Sequence, residues 1–255
     1  MRKHIRKFRQ NIKNALAGSD VPFVDLVEGA GGITGLRSHS QAKRVGAWPP
    51  TEEPSDISFV AVSGSMSSSN TTTASVSLPT GTQTGDFCIV AVFLDNKTVA
   101  VTTPTGWTLI GNGDTNEYPR SFVYGRIIQS GDTGFSATQD AEANMIIAGS
   151  FRKADGITSF TTRNFANDKG VSALSASLSS TNATVPTIAV AMLAGRTTQS
   201  PTMTWGGATI KTDTTTGGTR SLGYVIYNSG TPASHTVTAN DTGRQSLSVF
   251  YIDLE

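Results

Sequence analysis

The chain has 255 residues, a formal net charge of +1 and a charged fraction of 15%. Its 36 Thr, 28 Ser and 26 Gly are typical of short strands joined by many turns, because β-branched Thr suits a pleated surface. This composition excludes coiled coils, helical bundles and collagens, and no apolar run reaches the ~20 residues that a membrane-spanning helix requires. The single Cys88 excludes an intrachain disulfide framework and any metal site built from several cysteines.

Basic charge is concentrated in the first fifty residues, which hold nine Lys or Arg against three acids, a net charge of +6. Residues 1–17 are predicted to form an amphipathic helix, because their apolar residues recur three or four positions apart and Gly18 follows as a stop. We expect this helix to dock on a partner protein; packing on its own domain, a membrane surface or nucleic acid are the alternatives. The predicted anchoring residues are Arg2, Lys3, Ile5, Arg6, Lys7, Phe8, Arg9, Ile12, Lys13 and Leu16.

Residues 1–56 as a whole are interpreted as this basic helix followed by an extended arm. Residues 29–35 are glycine-rich, and residues 48–54 are proline-rich and therefore extended. No apolar segment of 7–15 residues follows the basic start, so a secretory signal peptide is not expected. Such an arm buries little surface alone, and we expect it to be ordered only against a partner.

From Ile57 to Glu255 the pattern predicts a mainly β fold. Polar and apolar residues alternate in short runs separated by turn signals, as in residues 121–128. The polar stretch 155–170 is interpreted as a join between two halves, and at most one short helical turn is predicted, at residues 140–147. The predicted strands include residues 57–63, 74–78, 87–94, 98–102, 121–128, 134–138, 145–153, 172–178, 184–193, 221–227 and 247–253.

The β region repeats itself with a period near 100 residues. Trp107 and Trp205 lie 98 positions apart, and Tyr124 and Tyr224 lie 100 apart, as do the two arginines that precede these tyrosines. We interpret residues 74–155 and 172–254 as two copies of one unit. About 70 residues of strand bury little core alone, so the copies are expected to pack as two faces or two halves of one jelly-roll-like β-sandwich. Two small tandem sandwiches are the alternative. The expected core anchors are Trp107, Trp205, Tyr124 and Tyr224.

Motifs for catalysis or cofactor binding are missing from the sequence. The glycine-rich run at residues 29–35 has Thr34 where a dinucleotide fingerprint needs glycine, and no P-loop, G-x-S-x-G or H-E-x-x-H motif occurs. The three histidines are scattered. We therefore expect no enzyme, no cofactor and no metal site.

Loops at the end of the sandwich offer the best candidates for a ligand site. Residues 111–120 and 213–219 are predicted to be such loops, where binding residues are commonly carried on a rigid scaffold. Tyr118 could stack on a sugar ring. Asp114 and Glu117 precede it and could offer oxygen ligands to calcium, although they match no known calcium loop and solvated turn residues are the expected alternative.

Two segments resemble a β module of tailed-bacteriophage virion proteins. Residues 78–90 read Leu-Pro-Thr-Gly-Thr-Gln-Thr-Gly-Asp-Phe-Cys-Ile-Val, and residues 103–110 read Thr-Pro-Thr-Gly-Trp-Thr-Leu-Ile; Tyr124-Gly125-Arg126 follows. The resemblance covers residues 74–155 well and residues 184–254 loosely, because the second copy lacks the Gly-Asp pair and has Trp205-Gly206-Gly207. It implies a virion surface or tail component and transfers no active site.

On this resemblance we expect a non-enzymatic structural protein of a phage virion. A tail, baseplate or fibre-type protein is preferred, anchored to other virion proteins through its N-terminal arm and present as a symmetric homo-oligomer. The alternatives are a capsid decoration protein and a module that binds a host surface glycan. Neither a membrane nor nucleic acid is an expected partner.

Overall fold

The computed structural model describes residues 56–96, 98, 100–113, 119–170, 173–180, 182, 186–195, 201–215, 218–228, 230–240 and 244–255. Residues 54–255 form a compact unit of their own, and every described residue belongs to it. The predicted N-terminal helix, its ten anchoring residues and the arm up to residue 55 therefore lie outside the described residues.

The described chain is built from antiparallel strands and contains no helix, which confirms the mainly β prediction. The strands are β1 (Ile57–Ser77), β2 (Phe87–Leu94), β3 (Thr108–Asn112), β4 (Arg120–Ile127), β5 (Gly134–Lys153), β6 (Phe160–Gly170), β7 (Leu174–Leu178), β8 (Thr187–Gly195), β9 (Thr202–Thr204), β10 (Thr209–Thr215), β11 (Gly218–Tyr227), β12 (His235–Asn240) and β13 (Gln245–Leu254).

Two five-stranded sheets form the body of the molecule, and their strand orders match. The first sheet has the order β1-β5-β2-β4-β3, and the second has β6-β13-β8-β11-β10. Each strand of one sheet thus has an equivalent in the other, in the same sequence order along the chain. Equivalent strands run from Ile57 to Lys153, here called repeat 1, and from Phe160 to Leu254, here called repeat 2.

Each large sheet is covered on its outer face by a smaller layer. In repeat 2 this layer is the separate sheet β7-β12-β9. In repeat 1 the same layer is made by the far halves of β1 and β5, which stay paired through Ala74 and Ala137, and by a single bridge between Val101 and Gln139. The long β1 and β5 therefore each pass from the large sheet into the outer layer. In repeat 2 two separate strands replace each of them: β6 and β7 replace β1, and β12 and β13 replace β5.

Three hydrophobic cores separate four layers. The central core lies between the inner faces of the two large sheets and contains Phe93 and Ile147 from repeat 1 with Val190 and Phe250 from repeat 2. The other two cores lie under the outer layers. Each fully buried large apolar side chain contributes roughly 1.5–3 kcal/mol, so the central core holds the two repeats together as one body. Each repeat thus has two layers of strands, and the two large sheets also pack face to face.

Several strand predictions need correction. Residues 140–147 contain no helical turn but belong to β5, because alternate residues there serve two cores: Met145 faces the central core and Ile146 the outer one. Residues 57–63 and 74–78 belong to one continuous strand, β1. The polar join predicted at residues 155–170 is mostly β6, an edge strand whose Phe165 packs on the central core. The described residues of the range 98–102 form an isolated bridge at Val101 in place of the predicted strand.

Candidate functional site

The two ends of the large sheets differ in what they carry. At one end β1 begins at Ile57, which pairs with Lys153, and the C-terminal Glu255 accepts the backbone N–H of Thr158. We call this the Ile57 end. At the opposite end β2 finishes at Leu94, which pairs with Asn144 of β5. The eight residues of β2 span about 25 Å, so the ends are well separated.

Repeat 2 contributes to the same far end, because polar contacts join the two repeats there. Arg220, at the start of β11, is fully buried and donates from Nη1 to the carbonyl oxygen of Ser65 at 2.8 Å. Arg244 lies 3.4 Å from a carboxylate oxygen of Asp95. The Nδ2 of Asn167 donates to the hydroxyl of Ser121 at 3.1 Å. We call this the polar end. The two predicted ligand loops need correction, because residues 111–112 and 120 belong to β3 and β4, and residues 213–215 and 218–219 belong to β10 and β11. Residues 114–118 and 216–217 lie outside the described residues.

A cleft of about 150 Å³ opens at the polar end. It lies where β1 and β5 change register, between Ser67 and Thr71 and again between Thr71 and Thr73. Both strands carry extra residues at this fold, which leaves residues 68–70 exposed beside the cleft. The lining includes Ser67, Ser68, Asn70, Asp95, Glu142 and Asn144, with apolar contributions from Phe93, Pro119 and Met145.

Hydrogen bonds fix the polar side chains of the cleft. The Nδ2 of Asn96 donates to Glu142 Oε2 at 3.1 Å, and the backbone N–H of Ala143 donates to Glu142 Oε1 at 3.0 Å. The buried Asn144 donates from Nδ2 to the carbonyl oxygen of Thr73 and to Gln139 Oε1, both at 3.3 Å. These bonds orient a carboxylate and an amide, so the cleft is held by a network and not by exposed side chains alone.

The four predicted core anchors lie in the cores. Trp107 and Trp205 are 8% and 5% exposed, and each ring lies 5.1 Å from the ring at the start of the next outer strand, Phe135 or His235. Tyr124 is buried in the outer core of repeat 1, whereas Tyr224 is half-buried against the central core.

The predicted ligand residues Asp114, Glu117 and Tyr118 lie outside the described residues. Pro119, the next residue along the chain, lines the cleft. Four residues of the cleft are not among the site residues predicted from the sequence: Asn70, Asp95, Glu142 and Asn144. No motif could have signalled them, because they come from three separate segments that meet only where β1 and β5 change register.

At the Ile57 end, ion pairs close the turns before and after the strands. Asp86 accepts Arg152 through both carboxylate oxygens at 2.7 Å, and this contact raises the pKa of the Arg152 guanidinium. Burial raises the pKa of Asp132, but the N–H of Gln129 and the Arg126 guanidinium outweigh it, so the net pKa is lowered. Burial likewise raises the pKa of the Cys88 thiol above its ordinary range, which keeps it protonated. These groups serve the fold.

Three polar rings form a cluster in repeat 2, away from the cleft: those of His235, Tyr227 and Tyr251. His235 Nε2 and the Tyr227 hydroxyl share a short hydrogen bond, and the Tyr251 hydroxyl donates to the carbonyl oxygen of Ala233 at 2.5 Å. Burial lowers the pKa of His235 and raises the pKa of Tyr251 to about 12. Both groups are therefore neutral near pH 7.

Within the described part of the chain, no helix has the length and apolar character needed to cross a membrane. The described residues also contain no group of three or more His, Cys, Asp or Glu placed to hold a metal ion. No protein-family model, no curated protein and no solved structure matches this chain.

Proposed function

We propose that the protein is a non-enzymatic structural component of a phage virion, of tail, baseplate or fibre type, anchored through residues 1–56. The observation that carries this proposal is the separation of the two ends. The described chain starts at the Ile57 end, and the loops of both repeats converge about 25 Å away at the polar end. This arrangement suits a module that is attached at one end and displays the other.

The geometry of the phage-like motifs supports a scaffolding role. Gly81 and Gly85 have φ of 85° and 90°, which favours glycine, and Asp86 accepts the backbone N–H of Gln83 at 2.7 Å. Gly106, before Trp107, has φ of 80°. The motif residues of the resemblance thus form turns that start a strand and position a buried tryptophan.

The strand order supports the proposal in a second way, because it follows a duplicated jelly roll. Numbered within repeat 2, the large sheet has the order 5-6-3-8-1 and the small sheet has 2-7-4. A jelly roll pairs strand 1 with 8 and strand 2 with 7 in two facing sheets, an architecture used by viral structural proteins and lectins. We infer that one such unit was duplicated and that its copies pack through their larger sheets.

Incorporation into particles tests the proposal. The full chain and a variant lacking residues 1–18 are expressed in cells infected with the phage that encodes the protein, and purified particles are probed by immunoblot. We expect the full chain in the particles, and we expect the variant to stay in the soluble fraction with an unchanged far-ultraviolet circular dichroism spectrum. Undiminished incorporation of the variant would refute the anchor, and absence of the full chain from particles would refute the virion role.

The position on the particle separates a tail component from a capsid decoration protein. Gold-labelled antibody against the full chain is imaged on intact particles by electron microscopy. Label at the tail or baseplate is the expected result. Label spread over the head would favour decoration of the capsid instead.

A further inference from the structure

The cleft at the polar end lies where the pairing of β1 with β5 is interrupted. Its volume of about 150 Å³ is that of a cavity able to hold a single six-membered ring. It is formed by two strands that both bulge at the same point, and such paired irregularities next to a concavity commonly position side chains for binding.

The cleft presents hydrogen-bond donors and acceptors on facing segments. The exposed Ser68 and Asn70 of β1 supply a hydroxyl and an amide, while Asp95 and Glu142 supply carboxylates. The buried Phe93 and Met145 line it from the central core. A ring that carries both hydroxyl groups and C–H faces matches this combination, because each hydroxyl both donates and accepts.

Asn144 adds a fixed acceptor. It is 4% exposed, lines the cleft, and uses its amide nitrogen for both of its hydrogen bonds, to Thr73 and Gln139. Neither bond uses the carbonyl oxygen. A side chain that is locked by its own nitrogen offers that oxygen to a ligand without loss of rotamer freedom, which favours binding.

The charged groups at the cleft limit the chemical class of ligand that it can bind. Two carboxylates, Asp95 and Glu142, line the cleft and disfavour an anion. A small cation is disfavoured as well, since the Arg244 guanidinium lies 3.4 Å from Asp95. A neutral ligand with several hydroxyl groups is repelled neither by the two carboxylates nor by the Arg244 guanidinium.

We propose that this cleft binds one neutral sugar ring. The inference rests on the proposed function, because a displayed virion surface encounters the polysaccharides of its host. Asp95, Glu142 and Asn144 accept hydrogen bonds from the sugar hydroxyls, and Ser68 and Asn70 donate to them.

Binding to the isolated full chain tests the proposal. Saturation-transfer-difference NMR is recorded with the methyl glycosides of glucose, galactose, mannose, rhamnose and N-acetylglucosamine. At least one is expected to receive saturation. Asn70→Ala and Glu142→Gln are each expected to weaken that binding about fivefold, the effect of losing one hydrogen bond, with unchanged melting temperature. Thr204→Ala, at an exposed position on β9, is the matched control and leaves binding unchanged.

Three outcomes would overturn the proposal: no saturation of any of the five sugars, sugar binding that neither cleft variant alters, or calcium binding that Glu142→Gln abolishes while no sugar binds. Each leaves the particle experiment unaffected. Conversely, sugar binding by a protein that is absent from particles would refute the virion role and retain the cleft.

Discussion

Tyr124 and Tyr224 lie 100 residues apart in equivalent strands, yet their rings occupy opposite faces of their sheets. The Tyr124 ring lies in the outer core of repeat 1, 5.1 Å from the Phe135 ring. The Tyr224 ring packs against the central core, stacked 4.7 Å from the Phe59 ring. The repeat in sequence is therefore shifted by one residue relative to the repeat in packing, and a shift of one residue reverses the face of a strand.

In both strands a glycine lies next to the tyrosine, on the opposite face of the strand. Gly125 follows Tyr124, and an added Cβ there would lie 3.0 Å from the Phe160 ring of the central core. Gly223 precedes Tyr224, and a Cβ there would lie 2.8 Å from Met203 Sδ and 3.0 Å from the Trp205 ring. Each strand thus has a tyrosine on one face and a glycine on the next position, in opposite order in the two repeats.

Gly223→Ala is expected to destabilise the protein by about 1–3 kcal/mol, because Met203 and Trp205 pack too closely to admit a methyl group. Urea unfolding followed by circular dichroism measures the loss. Gly206→Ala is the control, since no atom lies within 4 Å of its added Cβ, and it should stay within about 0.5 kcal/mol of the parent. Equal stability of the two variants would contradict the packing described for Gly223.

The sequence alone was sufficient to predict the β class and the burial of both tryptophans. Apolar and polar residues alternate in strands such as β7, and an unbroken apolar run marks the fully buried β2. The sequence could not locate β6, because this edge strand is mostly half-exposed and its residues are therefore largely polar. It could not distinguish two short strands from one strand that folds over, because the bend in β1 depends on its pairing with β5.

The residues of the candidate site could be predicted even less well from the sequence. Asn70, Asp95 and Asn144 belong to segments that pairing brings together, and each alone resembles a turn or strand residue. The loop predicted at residues 111–120 includes Pro119, which lines the cleft, because the loop and the cleft both lie at the polar end. The face reversal at Tyr224 was also hidden, since a one-residue shift in register leaves no trace in composition.

Arg220→Ala is expected to cost about 3 kcal/mol or more. The side chain is fully buried between the repeats, and its removal leaves the Ser65 carbonyl oxygen without this donor and creates a cavity. Urea unfolding of the full chain provides the measurement.

Arg120→Ala serves as the comparison, because the sequence repeat aligns these two arginines. Its half-buried guanidinium lies 4.6 Å above the Phe122 ring, a contact worth about 0.5–1 kcal/mol. We expect the smaller loss from Arg120→Ala. A larger loss than from Arg220→Ala would show that Arg220 does not join the repeats.

Asp86→Ala is expected to destabilise repeat 1 by about 2–3 kcal/mol. Asp86 is buried and accepts three hydrogen bonds, two from Arg152 and one from the Gln83 backbone, which together start β2. Hydrogen exchange followed by mass spectrometry should show the fastest increase at residues 79–94. An unchanged exchange rate in that segment would argue against this role.

Asp132→Asn tests the ion pair with Arg126, whose carboxylate is more exposed than that of Asp86, and is expected to cost about 1 kcal/mol or less at pH 7. Because the folded pKa of Asp132 is lowered, its stabilisation is present above the unfolded pKa near 3.8 and is lost as pH falls through the folded value. The variant and the parent should therefore converge in stability below that value, as measured by thermal unfolding between pH 7 and pH 2. A constant difference across this range would exclude the ion pair as its source.

His235→Phe is expected to remove an acid-sensitive component of stability. Burial lowers the folded pKa of His235, beside Tyr227, Tyr251 and Trp205, so its protonation is favoured by unfolding. In the parent, stability should be complete above the unfolded pKa near 6.5 and decline as pH falls below it. The phenylalanine reproduces Phe135 of repeat 1, which occupies the equivalent place beside Trp107. Urea unfolding at pH 7.5 and 5.5 should show a smaller decline for the variant than for the parent, and an equal decline would assign the acid sensitivity to other groups.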